Sequence, residues 1–348
     1  MVCSFLIAGS LTAQAEKYQE SINPEPNAIE IIRGLLQQPE AAIDLATANV
    51  TIDHIIDPSS DVESTMHQIN RMAMEINFAF QPDMSDMDKL YLIRNYLYEA
   101  GEWNNNQPFH YDLDDQIGAN INNKLLHNYL AAKKGNCVSM SLLFVILGDK
   151  LDLEVTLVLV PSHVFVRYTD KETGMTYNLE TTNKAQFADN SYYMKHSPMT
   201  QRAIDNSVYL ASLPKQEIVA VMAATLNEYY VYTHQYLDVI DLSALVLAYH
   251  PNNVSAILNR GNAYYGLQQE ALHIYGPPNE ITPKQMQYIN HLGYLNQKIG
   301  AQAEALGWQE KTPEERSHYF ETVKQYAKQQ SQSNRMELMP TLNDHKWE

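Results

Sequence analysis

The sequence predicts an α+β protein, and three observations predict it. Apolar residues recur at three- and four-residue steps through residues 21–101 and again from about Ile204 onward, as amphipathic helices require. Between these regions the period falls to two: Glu154–Val160 is a β-branched run, His163–Thr169 alternates, and Met175–Thr181 follows a turn at Asp170–Gly174. Short consecutive strands on tight links predict an antiparallel sheet, and the apolar helix just ahead of them gives that sheet a layer to pack on. With 348 residues, 45% of them apolar, the chain has length for about two domains and material for ordinary cores.

Taken in order, Val2–Leu11 is an apolar stretch too short to span a bilayer. Ala13-Gln14-Ala15 after it has the small-x-small form of a signal-peptidase site, although nothing before Glu16 is charged. Residues 1–15 therefore read as a signal peptide, and the mature product is expected to be exported, periplasmic or secreted. In the helical region 16–101, Ser60-Asp61-Val62-Glu63 has the form of a capping box ahead of Met66, Ile69, Met72 and Ile76. Ser85 starts a second helix carrying Leu90, Ile93 and Leu97, with Gly101 placed to end it. Residues 102–122, rich in Asn, Asp and Gln, read as a long ordered loop. Asn123–Lys134 reads as a short helix stopped by Gly135, and the next helix begins near Asn136 or Cys137, with Met140, Phe144, Leu147 and Leu151 on the cysteine's own face.

Beyond Ile204, Ala223, Leu226, Tyr230, Val239, Val246 and Pro251 fall where a helix–turn–helix repeat of about 34 residues keeps its small, bulky and terminating positions. A second copy opens with Ile257, Gly261 and Tyr264 and runs into Gly276-Pro277-Pro278, which no helix crosses. A further helix pair is expected in Pro283–Ala305, and 328–348, polar and aperiodic, reads as a loose tail.

Charge excludes some partners. The balance of 24 Lys+Arg against 41 Asp+Glu gives −17, and only short basic clusters such as Lys133-Lys134 occur, so nucleic acid is not expected as a partner. No later run is apolar enough for a membrane span. The histidines are scattered without metal-ligand spacing and no glycine-rich phosphate loop is present, so neither metal nor cofactor is expected.

The chemistry concentrates at Cys137, one of two cysteines; cleavage after Ala15 removes the other, Cys3. A thiol at a helix N-terminus feels unsatisfied N–H groups and the positive end of the macrodipole, which favour the thiolate. An imidazole beside it can form a thiolate–imidazolium pair and later protonate a leaving amine. His163, on the alternating strand, is the candidate, and the third strand supplies Glu180 near the same open end of the hairpin to orient the ring. Asn178 is the second candidate for that orienting role. The Cys137 N–H plus a further donor among Asn128, Tyr129 and Trp103 would meet an oxyanion. Arg167, on the same strand face as His163, reads as an ion-pair residue or a carboxylate binder.

Gly135-Asn136-Cys137 at a buried helix start, Ser162-His163-Val164-Phe165-Val166-Arg167, and Asn178-Leu179-Glu180-Thr181 together resemble the nucleophile, histidine and carboxylate segments of the transglutaminase-like superfamily. The resemblance covers roughly residues 85–270. It implies a papain-like core with an antiparallel sheet on the cysteine helix, here over 102–203. More narrowly it implies a bacterial branch with tetratricopeptide-like helices behind, here over 204–327. The third member is usually Asp in that superfamily and is matched here by Glu180. The implied activity is a thiol hydrolase or acyltransferase on peptide or isopeptide-like amides, through Cys137, His163 and Glu180. The alternative is a catalytically silent scaffold that binds protein partners through its C-terminal helices.

Overall fold

The computed structural model describes residues 28–115, 118–312, 314 and 321. The leader stretch with Cys3 and the 328–348 tail lie outside them. The N-terminal helices are α1 Ala28–Leu36, α2 Leu45–Ile56, α3 Val62–Phe78 and α4 Asp86–Tyr98. Ser85 starts α4, as the sequence indicated, and it and Asp88 cap the helix reciprocally. Two helix boundaries differ from expectation. Asp61, not Ser60, caps α3 by accepting from Ser64 N at 2.9 Å, because the Ser60 side chain and carbonyl face His54 Nδ1 instead. Gly101 does not end α4, whose C-cap is Glu99; it opens a short 3₁₀ turn, Glu102–Asn104, where the Trp103 ring lies over it and leaves no room for a Cβ.

The segment expected as one long loop also carries β1 His110–Tyr111, which pairs in parallel with β2 Lys134–Gly135, and a 3₁₀ turn at Ile121–Lys124. Between them α5 spans Leu126–Ala132. Its own N-cap, Leu125, supplies no side-chain acceptor, so Asp53 of α2 does, taking the N–H groups of Leu126 at 2.6 Å and His127 at 3.2 Å. The His127 ring bridges Asp53 and Asp57, tying α5 to the N-terminal helices directly upstream of the cysteine.

Helix α6, Cys137–Lys150, is buried on all sides from Ser139 to Gly148. It packs on β3 Val155–Val160 and β4 His163–Thr169 and is covered by α2, α3, α4 and α5. The sheet has order β3-β4-β5-β6, antiparallel throughout, with β5 Thr176–Glu180 and β6 Gln186–Ala188. Within this sheet the strand not foreseen is β6. Three residues are too few to establish a period.

Helices α7 Asn190–His196 and α8 Gln201–Asp205 lead to α9 Lys215–Tyr232, which packs against α1 and α2. One buried apolar cluster, from Ala28 to Ala263, joins α1 to α6, the sheet and α9, while α7 and α8 bury Tyr193 and Ala203 in two smaller clusters. The remaining helices are α10 Tyr236–Tyr249, α11 Val254–Tyr275 and α12 Pro283–Ala305, each packed on its predecessor. The Gly-Pro-Pro break falls as expected, with Gly276 at φ +83° ending α11. Pro283–Ala305, however, is a single helix of 23 residues and not a pair, since neither Gly293 nor Gly300 interrupts it. No helix among the described residues is long and apolar enough to cross a membrane.

Candidate active site

Two main-chain hydrogen-bond systems place Cys137 at the start of α6. Asn136 is the N-cap, its Oδ1 accepting from Val138 N at 3.0 Å. Asn136 N donates to Asn123 O at 3.2 Å, and Ser139 Oγ donates to the same carbonyl at 2.6 Å, pinning the helix start to the 121–124 turn. No acceptor for the Cys137 N–H occurs among the described residues, which leaves that donor for a substrate oxygen.

His163 opens β4 and Glu180 closes β5. Val166 faces Leu179 in the register, so the position opposite Glu180 is Phe165, and His163 is its diagonal neighbour on the same sheet face. Diagonal neighbours are about 7–8 Å apart, within reach of aromatic and long side chains. Glutamate closes that distance: His163 Nε2 and Glu180 Oε2 are 2.8 Å apart. The other carboxylate oxygen accepts from Thr182 N at 3.1 Å and Thr182 Oγ1 at 2.6 Å, which fixes the plane of the group. Beneath the site Ser141 Oγ contacts Thr181 Oγ1 at 2.9 Å and donates to Val164 O at 3.3 Å, locking α6 to the ends of both strands.

The electrostatics follow from this packing. Burial pushes the Cys137 thiol up. The hydrogen bond and charge of His163, with the Val164 backbone and the Lys124 charge, more than offset that and hold it below its ordinary value. Burial pushes His163 down, but the Glu180 charge and the contact with Cys137 raise it well above the usual imidazole range. Burial likewise raises Glu180, and His163 with Thr182 brings it to a net lowering. All three shifts favour one charge state: thiolate, imidazolium, carboxylate. With Nε2 held by Glu180, Nδ1 is the ring nitrogen left for the sulfur.

The structure thus gathers Cys137, His163 and Glu180, and it does not bring the other candidates to the ring. Asn178 is committed to Arg167 Nε at 2.8 Å and to Asn190 Oδ1 at 2.8 Å. Asn128 sits half-buried on α5 with no hydrogen bond to Cys137 or His163 among the described residues. Trp103 donates its indole N–H to Tyr96 O, and Tyr129 is fully buried under Gly135. Among the described residues Arg167 has no carboxylate partner: its guanidinium holds Asn178, the Leu210 carbonyl, Ser212 and Asn190. Tyr193 packs, stacking on Phe165 at 3.8 Å and lying beside the His163 ring. Sequence reasoning missed Lys124, which no local pattern ties to the cysteine; the fold brings its charge to the thiol.

Among known families, the profile described as the transglutaminase-like superfamily matches residues 63–224. The match takes in α3, α4, the cysteine helix, the sheet and the first half of α9, and so reaches beyond 102–203 at both ends. No curated protein and no solved structure matches the chain. Residues 63–224 thus carry a transglutaminase-like superfamily domain, which takes in the cysteine helix and the antiparallel sheet it packs on.

Proposed function

We propose that the protein is an exported thiol enzyme that acts on amide bonds of peptide or protein substrates, with Cys137 as nucleophile, His163 as proton carrier and Glu180 as the group that orients His163. The observation that carries this reading is the 2.8 Å contact of His163 with a buried, doubly anchored Glu180 beside a thiol at a helix start. The Cys137 sulfur attacks the carbonyl carbon, and the oxyanion meets the Cys137 N–H. Imidazolium His163 then protonates the departing nitrogen, the C–N bond breaks and a thioester remains. Neutral His163 next takes a proton from the acceptor. Water as acceptor gives a carboxylic acid product and an amine gives a new amide; in either step the C–S bond breaks, the sulfur leaves as thiolate and the imidazolium is restored.

The test pairs Cys137→Ala with substrate profiling on peptide libraries. Amide cleavage or amine incorporation by the natural chain that vanishes in the variant is the expected result; identical profiles would sink the reading.

A second reading, partner binding through tetratricopeptide-like helices of a bacterial branch, draws support from Leu237, Ile274, Tyr288 and Tyr294, exposed on α10 to α12. Its mark is partner capture that survives Cys137→Ala and is lost when residues 217–305 are deleted.

A further inference from the structure

Taking Cys137 as the nucleophile proposed above, we infer that Lys124 is a specificity-determining residue that receives an anionic group of the substrate, a carboxylate, beside the thiol, and that Glu228 occupies it in the free protein.

Its position follows from the backbone. The carbonyl of the preceding residue, Asn123, holds both Asn136 N and Ser139 Oγ, so Lys124 leaves the chain directly against the start of the cysteine helix. Its side chain is only 14% exposed, and its ammonium pairs with Glu228 of α9. The other acidic groups nearby have their own partners: Asp112 holds Lys134 Nζ at 2.9 Å and Asn123 Nδ2 at 2.9 Å, and Asp115 holds Asn123 Nδ2 and the N–H groups of Ala119 and Asn120. Among the described residues the counter-ion of Lys124 comes from one side chain. That side chain, Glu228, is 35% exposed and lies past residue 224, where the family match ends. Burial works against the Lys124 charge, while Glu228, Cys137 and Tyr232 sustain it, so the ammonium and the thiol share one field.

A carboxylate arriving with the substrate can take the place of Glu228, which swings to solvent, while the Lys124 charge stays where it is. Such an exchange favours substrates with an acidic side chain or a free C-terminus near the scissile amide over neutral ones. It also lets a residue from the C-terminal helices set the strength of that preference.

Two small alkylators of opposite character read this without knowledge of the substrate. Iodoacetate and iodoacetamide both react through the thiolate, forming a C–S bond and expelling iodide, so the ratio of their rates cancels the fraction of thiolate and leaves the effect of charge. With modification mapped to Cys137 by peptide mass spectrometry, Lys124→Met is expected to lower the iodoacetate:iodoacetamide ratio about three- to tenfold, the size of one well-placed ion pair. Lys124→Arg should keep the ratio, and Glu228→Gln should raise it. Added salt should lower it in the natural chain and leave it flat in Lys124→Met. A ratio unmoved in Lys124→Met and Glu228→Gln, with Cys137 still alkylated, overturns the role of Lys124 and leaves the nucleophile standing. A Cys137 inert to both reagents overturns both. Should Lys124→Met fail to fold, Glu228→Gln decides by itself, because a purely structural ion pair gives no rise.

Discussion

Replacing His163 by alanine is expected to lower turnover by about 10²–10⁴-fold, the usual contribution of a positioned general acid and base. Cys137 should respond as well. Burial, which pushes its thiol up, stays in place, while the hydrogen bond and charge that bring it down are lost. Alkylation near neutral pH should then fall about tenfold for each unit that the thiol rises. The backbone has little reason to move, since β4 keeps its pairing with β3 along Val155–Val160. A variant with unchanged alkylation and unchanged turnover would separate His163 from the chemistry.

Gly135→Ala is expected to have the largest structural effect near the site. A Cβ there would lie 2.4 Å from Ser139 Oγ and 2.6 Å from the Tyr129 ring, and Tyr129 is fully buried and unable to yield. Overpacking of this kind costs about 1–3 kcal/mol. Ser139 Oγ is also the group that ties the cysteine helix to Asn123, so its displacement should slow Cys137 alkylation along with lowering the denaturation midpoint. Gly300→Ala is the control. Nothing lies within 4 Å of its added Cβ, and alanine in a helix interior gains about 0.5–1 kcal/mol over glycine. Equal stability of the two variants would contradict the packing described around Gly135.

What the sequence made legible was set by period and by position. The cysteine helix and the three longer strands carry enough residues for a period to show, and Cys137, His163 and Glu180 were read from those elements. The diagonal relation of His163 to Glu180 was not visible, because it depends on the register, in which Phe165 stands opposite the carboxylate. That register also explains the glutamate, whose additional methylene spans the diagonal. Strands β1 and β6 were too short to show alternation. The Asp53 cap on α5 and the Lys124–Glu228 pair join residues far apart in the chain, a kind of contact that no local pattern records. Ser60 was misassigned for a related reason: it and Asp61 can both cap, and His54 decides which one does.

The most direct test of the thiolate–imidazolium pair is the rate of iodoacetamide alkylation at Cys137 as a function of pH in the natural chain. His163 holds the thiol below its ordinary value, and Glu180 and Cys137, each against the ring, hold the imidazolium well above its own. Alkylation should therefore rise on the acid side of the usual thiol range and be level through neutral pH. A single rise within the ordinary thiol range, with Cys137 unreactive at neutral pH, would contradict it.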